Sequence, residues 1–135
     1  MEEEHKNKTE PWVLVVEDDS LINRAYNAKF EHEGVAVKMA EDGEEALKIL
    51  RKEEVLPSLI LLDLMLPKKN GFEVLGEIKQ DSRLKDIPVL ILTNLSQTED
   101  ARRGVGLGAK EYIVKSDMKI EDLIKKVKQY LSIAK

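Results

Sequence analysis

Cysteine is absent from the 135-residue chain. A disulfide framework and a thiolate metal site are thereby excluded, and the absence fits a reducing compartment. An excess of basic charge is absent too: 22 Lys and Arg stand against 26 Asp and Glu, a formal net charge of −4. The electrostatic footprint of a nucleic-acid binder is missing, so direct contact with DNA or RNA is not expected. No uninterrupted apolar run approaches the ~20 residues of a membrane span. The opening stretch MEEEHKNKTEP carries charges without an apolar core, which is not the pattern of a secretory signal. These absences predict a soluble, cytoplasmic protein that does not engage a membrane. Residues 1–11 are expected to form a disordered leader. Residues 12–135 are expected to form a single domain, because a chain of this length has no room for a second core.

What the chain does contain is an alternation. PWVLVVEDD holds a continuous apolar run, Trp12 to Val16, that stops abruptly at acids; such a run marks a strand buried on both faces of a parallel sheet. SLINRAYNAKFEHEG follows as a first helix, with Ser20 as N-cap, an apolar stripe through Leu21, Ile22, Ala25, Tyr26 and Phe30, and Gly34 as its stop. VAVKMA reads as a second strand, and EDGEEALKILRKE as a second helix with Asp42 as cap and Glu45 completing a capping box. SLILLDLM is a third strand, PKKNG a turn, and GFEVLGEIKQ a third helix with Phe72, Leu75 and Ile78 inward. IPVLILTN, SQTEDARRGVGLG, KEYIVKS and DMKIEDLIKKVKQYLSIA continue the pattern, and in the last of them Ile120, Leu123, Ile124, Val127 and Leu131 recur at helical spacing. Strands that alternate strictly with helices require a parallel sheet covered on both faces through right-handed crossovers. The expected fold is a doubly wound α/β domain.

In such sheets ligands bind beyond the carboxyl ends of the strands. The first strand ends in Glu17, Asp18 and Asp19, the third at Asp63, the fourth at Thr93 and the fifth at Lys115. Asp63 is the lone carboxylate of LILLDLMLP, and a charge stripped of water among apolar side chains costs several kcal/mol unless it is paired. Clustered carboxylates repel one another unless a cation sits among them, and hard oxygen ligands suit Mg²⁺, with Mn²⁺ able to substitute. A hydroxyl and an ammonium beside them suit phosphoryl oxygens. Asp63 is therefore read as a nucleophile held next to a metal, able to form an acyl phosphate. Asp19 needs no more than the favourable end of the helix dipole. GVGLG, Gly104 to Gly108, follows a helix and precedes a strand, the reverse of a dinucleotide-binding loop, and reads as a helix ending plus a loop. His5 and His32 are too isolated for a metal site, and Lys125, Lys126 and Lys128 read as the wet face of the last helix.

Together, LVVEDD, LILLDLMLPKKNGFEVL, VLILT and GAKEYIVK resemble the receiver domain of two-component response regulators, over about residues 12 to 133. The resemblance implies a flavodoxin-like sheet of strand order 2-1-3-4-5 flanked by five helices. It implies that Asp63 is the phosphoacceptor and that Asp18 binds Mg²⁺ directly, with Glu17 mostly through water and the Met65 backbone carbonyl as a further ligand. It implies Thr93 as the switch hydroxyl, Tyr112 as the switch aromatic and Lys115 as the phosphate-contacting lysine. The implied donor is a sensor histidine kinase or a histidine phosphotransfer protein. A single-domain regulator of this kind passes its message by binding a partner through the fourth helix, fifth strand and fifth helix, as a monomer or a phosphorylation-promoted dimer.

Two positions depart from the family pattern. Asn94 follows the hydroxyl where a small residue is common, which bears on phosphoryl access and lifetime. Ser116 follows the lysine where proline is common. Without proline a cis peptide costs about 2.5–4 kcal/mol, so the Lys115–Ser116 bond is expected trans, with Ser116 or Asp117 capping the last helix. Two other functions compete. A phosphohydrolase of the haloacid dehalogenase type would resemble a pattern with a second Asp two residues after the nucleophile, and here that residue is Met65. The chain is therefore not expected to be a turnover enzyme. A receiver that only mediates contacts would not need the intact set of Glu17, Asp18, Asp63, Thr93 and Lys115.

Overall fold

The computed structural model describes residues 11–134. The leader expected over 1–11, with His5, lies outside that range except for Pro11. Five strands and five helices alternate: β1 Trp12–Val16, α1 Ser20–His32, β2 Ala36–Ala40, α2 Gly43–Lys52, β3 Leu59–Leu62, α3 Gly71–Gln80, β4 Val89–Thr93, α4 Thr98–Gly106, β5 Glu111–Val114 and α5 Ile120–Ala134. The sheet is parallel, in the order β2-β1-β3-β4-β5. A sheet covered on both faces needs apolar residues of both parities, and the strands supply them. Leu14, Val16, Ile60, Leu62, Val89 and Ile91 pack with α2 and α3 on one face. Val13, Val15, Leu59, Leu61, Leu90 and Leu92 pack with Phe30 of α1 and Leu123, Ile124 and Val127 of α5 on the other.

Several local expectations are corrected. Ser20 does not cap α1; Asp19 does, its carboxylate accepting from the N–H groups of Leu21 (2.9 Å) and Ile22 (3.2 Å). The capping residue needs an extended backbone, and Asp19, at φ −79° and ψ 111°, has it while Ser20 is already helical. The helix is also rotated from the expected stripe: Leu21 and Ala25 are exposed, whereas Asn23 is buried with Phe30. Asp42 caps α2 as read, accepting from Glu45 N–H at 2.8 Å, but Glu45 returns to the N–H of Glu41 and leaves the capping box open. A closed box forms instead at α3, where Asn70 and Glu73 exchange hydrogen bonds. The expected caps of α5 sit elsewhere: Ser116 and Asp117 lie in a 3-10 turn, Lys115–Asp117, and the helix opens at Ile120. All described peptide bonds are trans, Lys115–Ser116 included.

The lysines of α5 are only partly a wet face. Lys126 pairs with Glu111 of β5 at 2.7 Å and Lys128 with Glu33 at 2.7 Å, while Lys125 is exposed. Glu111 also accepts from the Tyr130 hydroxyl at 2.8 Å, so one carboxylate ties β5 to two turns of α5. Burial, then the hydrogen bond to Glu111 and its charge, push the Tyr130 phenol up to about 12. A phenol whose pKa is raised on folding contributes stability that is complete below its unfolded value near 10 and disappears as the pH rises toward 12. Tyr130→Phe is expected to lower unfolding free energy by about 1 kcal/mol at neutral pH. That difference from wild type should shrink above pH ~10, and urea unfolding of both proteins at pH 7, 9 and 10.5 checks it. A gap that is constant across these values would contradict the assignment.

Candidate functional site

The register brings the chemistry to one edge. Val16 stands opposite Ala40 on one side and Leu62 on the other, and Thr93 opposite Val114. The ladder runs one step past the strands: Glu17 N–H donates to Ala40 O at 2.9 Å and Asp63 N–H to Val16 O at 3.0 Å. Residues immediately after β1 and β3 therefore leave the sheet side by side, at the point where the chain order reverses.

Glu17 is 3% exposed and Asp63 6% exposed, so both carboxylates have lost nearly all their water. Lys115, arriving after β5, answers that cost: its ammonium donates to Asp63 Oδ2 at 3.0 Å and to Glu17 Oε1. Asp63 Oδ1 accepts from Met65 N–H at 3.2 Å, and Glu17 Oε2 accepts from Asp19 N–H at 3.0 Å. Asp18 is exposed, and one carboxylate oxygen from each of Glu17, Asp18 and Asp63 lies within 4.8 Å of the others. Two buried acids and one open to solvent, in that span, suit a hard divalent ion that keeps part of its water. Burial would lower the Lys115 ammonium, but the hydrogen bonds to Glu17 and Asp63 and their charges outweigh it and hold its pKa above the ordinary value. Burial pushes the Glu17 carboxyl up, against the Lys115 and Asp19 hydrogen bonds and the Lys115 charge, while the Asp63 charge acts in the same sense as burial.

The remaining residues form a chain leading away from the acids. Thr93 is fully buried, and its Oγ1 accepts from Leu95 N–H at 3.4 Å. Leu95 O in turn accepts from the Tyr112 hydroxyl at 2.8 Å. Sequence reading singled out Thr93 and Tyr112 but not Leu95, whose backbone joins them. The Tyr112 ring lies beside Gly104 of α4, where an added Cβ would stand 3.4 Å from Tyr112 Cδ2 and 2.4 Å from Ile91 Cδ1. Asn94 and Met65 are exposed. Gly71 closes the site from below: a Cβ there would come within 2.3 Å of Asp63 O and 2.6 Å of Leu64 Cα, so the first turn of α3 can lie directly under the β3 end only without a side chain.

Two polar residues of α1 were also missed. Asn23 donates from Nδ2 to Glu17 O at 2.6 Å, and Tyr26 lines, with Glu17 and Asp63, a crevice too narrow to admit a water molecule. The signal for Asn23 was a polar residue one turn ahead of Tyr26 and two ahead of Phe30. Among the described residues no helix is long and apolar enough to cross a membrane.

A family model described as the response regulator receiver domain matches residues 13–128. The chain is 42% identical over 76% of its length to the probable transcriptional regulator ycf27 of Porphyridium aerugineum, and spans 41% of that relative. The Francisella response regulator 1452 receiver domain superposes with a TM-score of 0.81 at 31% identity, covering 93% of this chain and 99% of that one. The Mn²⁺-bound form of response regulator Rcp1 superposes with a TM-score of 0.73 at 36% identity, covering 87% and 89%.

Proposed function

Because the chain belongs to the response regulator receiver family, we propose that its site takes a phosphoryl group onto Asp63 from a phospho-histidine donor in a Mg²⁺-dependent reaction. The observation that carries the reading is the meeting of Glu17, Asp63 and Lys115, from three strand ends, in one buried hydrogen-bonded cluster. An Asp63 oxygen attacks phosphorus, the N–P bond to the donor imidazole breaks, and an aspartyl phosphate forms. When bound, a divalent ion would be held by Asp18, Asp63, Glu17 and the Met65 carbonyl, and would supply charge neutralisation for the oxygens of the transferred group. Mn²⁺ is a substitute on this reading, as the Mn²⁺-bound Rcp1 neighbour supports. Lys115 then exchanges its contact with Asp63 for a phosphoryl oxygen, and the Thr93 hydroxyl turns from Leu95 toward another.

That turn is the proposed output. Releasing Leu95 N–H loosens the same backbone that holds the Tyr112 hydroxyl, so a local charge event changes the α4, β5 and α5 surface. A sensor histidine kinase or phosphotransfer protein is the proposed donor, and a protein that reads this surface the proposed receiver of the signal. A cytoplasmic location belongs to the same reading. Met65 stands where a hydrolase of the aspartyl-phosphate type would carry its second acid, which supports self-phosphorylation and self-dephosphorylation rather than turnover.

Incubation with Mg²⁺ and acetyl phosphate, followed by intact-mass measurement, tests the proposal. One phosphoryl addition, lost at alkaline pH, is expected, together with altered amide exchange in α4 and β5. Rapid multiple turnover of phosphate esters, or exchange changes confined to α2 and α3, would contradict it.

A further inference from the structure

Asn23 is 9% exposed on the inner face of α1, where an apolar side chain would be the ordinary choice. Its Nδ2 donates to Glu17 O at 2.6 Å, and its Oδ1 is buried without a partner among the described residues. An orphaned carbonyl oxygen carries a desolvation penalty that a leucine would avoid, so this amide is poorly explained by packing. Its one contact points to another role. No backbone N–H of a described residue donates to Glu17 O, so the Asn23 side chain alone holds that carbonyl. The other three polar points of Glu17 are tied as well: its N–H to Ala40 O, Oε2 to Asp19 N–H and Oε1 to Lys115. The peptide that Asn23 grips is the one that joins Glu17 to Asp18, two of the three acids whose oxygens lie within 4.8 Å of one another.

We propose that Asn23 is a positioning residue of the cation site, holding the Glu17–Asp18 peptide in the orientation that turns both carboxylates toward Asp63. The inference rests on the cation-dependent reading of the cluster. It acts through ligand placement: a released Glu17 carbonyl lets the turn between β1 and α1 rotate, and the acids must then be ordered by the ion itself, which weakens its binding.

Asn23→Leu removes the donor and the orphaned acceptor together, so the chain should fold with an unfolding midpoint close to that of wild type. Its Mg²⁺ dissociation constant, measured by calorimetry on the full chain, should rise about tenfold. The Mg²⁺ concentration that half-saturates phosphorylation by acetyl phosphate should rise equally, while the rate at saturating Mg²⁺ stays within twofold. Asn23→Ala should show the same pattern and decides the matter if the leucine variant does not fold. Unchanged Mg²⁺ affinity in a folded variant overturns the proposal, and a lowered midpoint with unchanged affinity assigns Asn23 to packing alone. A wild-type protein that binds no Mg²⁺ overturns the reading of the cluster along with it.

Discussion

Asp63→Asn is expected to reduce phosphoryl acceptance from acetyl phosphate to background while leaving the fold intact. The amide has nearly the shape of the carboxylate but is a poor nucleophile and a poor ligand for a hard cation. Stability should not suffer, because the charge balance of the cluster improves. Glu17, Asp18 and Asp63 carry three negative charges against the single ammonium of Lys115, and the variant leaves two against one. The lost Lys115 hydrogen bond at 3.0 Å offsets part of that gain, so the metal-free melting temperature should stay level or rise by a few degrees. The larger effect is on the metal response. At Mg²⁺ near 100 times its dissociation constant, mass action stabilises the wild type by about 2.7 kcal/mol, or roughly 10 °C for a domain of this size. In the variant that rise should fall to a small fraction. Thermal melts of both proteins with and without Mg²⁺ decide the point, and an equal rise in the two would sink the site as drawn.

Lys115→Met is expected to have the largest effect on stability. It leaves Glu17 and Asp63, with side chains 4% and 8% exposed, facing each other without a counter-charge. Removing one partner of a buried ion pair costs about 3–5 kcal/mol, and the 12% exposure of the lysine side chain argues for the lower end, about 3 kcal/mol in the absence of metal. Mg²⁺ should restore most of it. In wild type the ammonium and the ion compete for the same carboxylate oxygens, and without the ammonium the ion meets no competitor, so Mg²⁺ binding should tighten as stability in its absence falls. Urea unfolding with and without Mg²⁺ measures both effects. A metal-free midpoint equal to that of wild type, or weaker Mg²⁺ binding in the variant, would mean that Lys115 does not neutralise this cluster.

These two expectations draw on different sources. That Asp63 and Lys115 belong to one edge of the sheet was legible in the sequence, because a strand buried on both faces must be apolar throughout and its end is marked where polarity resumes. Val16 before Glu17 and Leu62 before Asp63 are such marks, and in the edge strand β5 the apolar pair Ile113 and Val114 ends at Lys115 in the same way. The helices were legible for a similar reason. Phe72, Leu75 and Ile78 recur at helical spacing between the cap Asn70 and the break after Gln80, and α3 spans the residues that this spacing predicts.

What the tertiary structure decided is every feature that depends on how elements meet. The register that puts Glu17 and Asp63 side by side comes from β1 lying between β2 and β3, a non-local pairing that no local pattern encodes. The rotation of α1 is set by packing on the sheet, and that rotation sends Leu21 outward and Asn23 inward against the expected stripe. Leu95 acquired its place between Thr93 and Tyr112 through its backbone, which carries no side-chain signature to read. Sequence by itself determined the fold class and which residues crowd the edge, because polarity and periodicity are properties of single elements. Which carboxylates share the lysine, and which helix residue grips the acid turn, are properties of distances between elements, and only the packed sheet sets those.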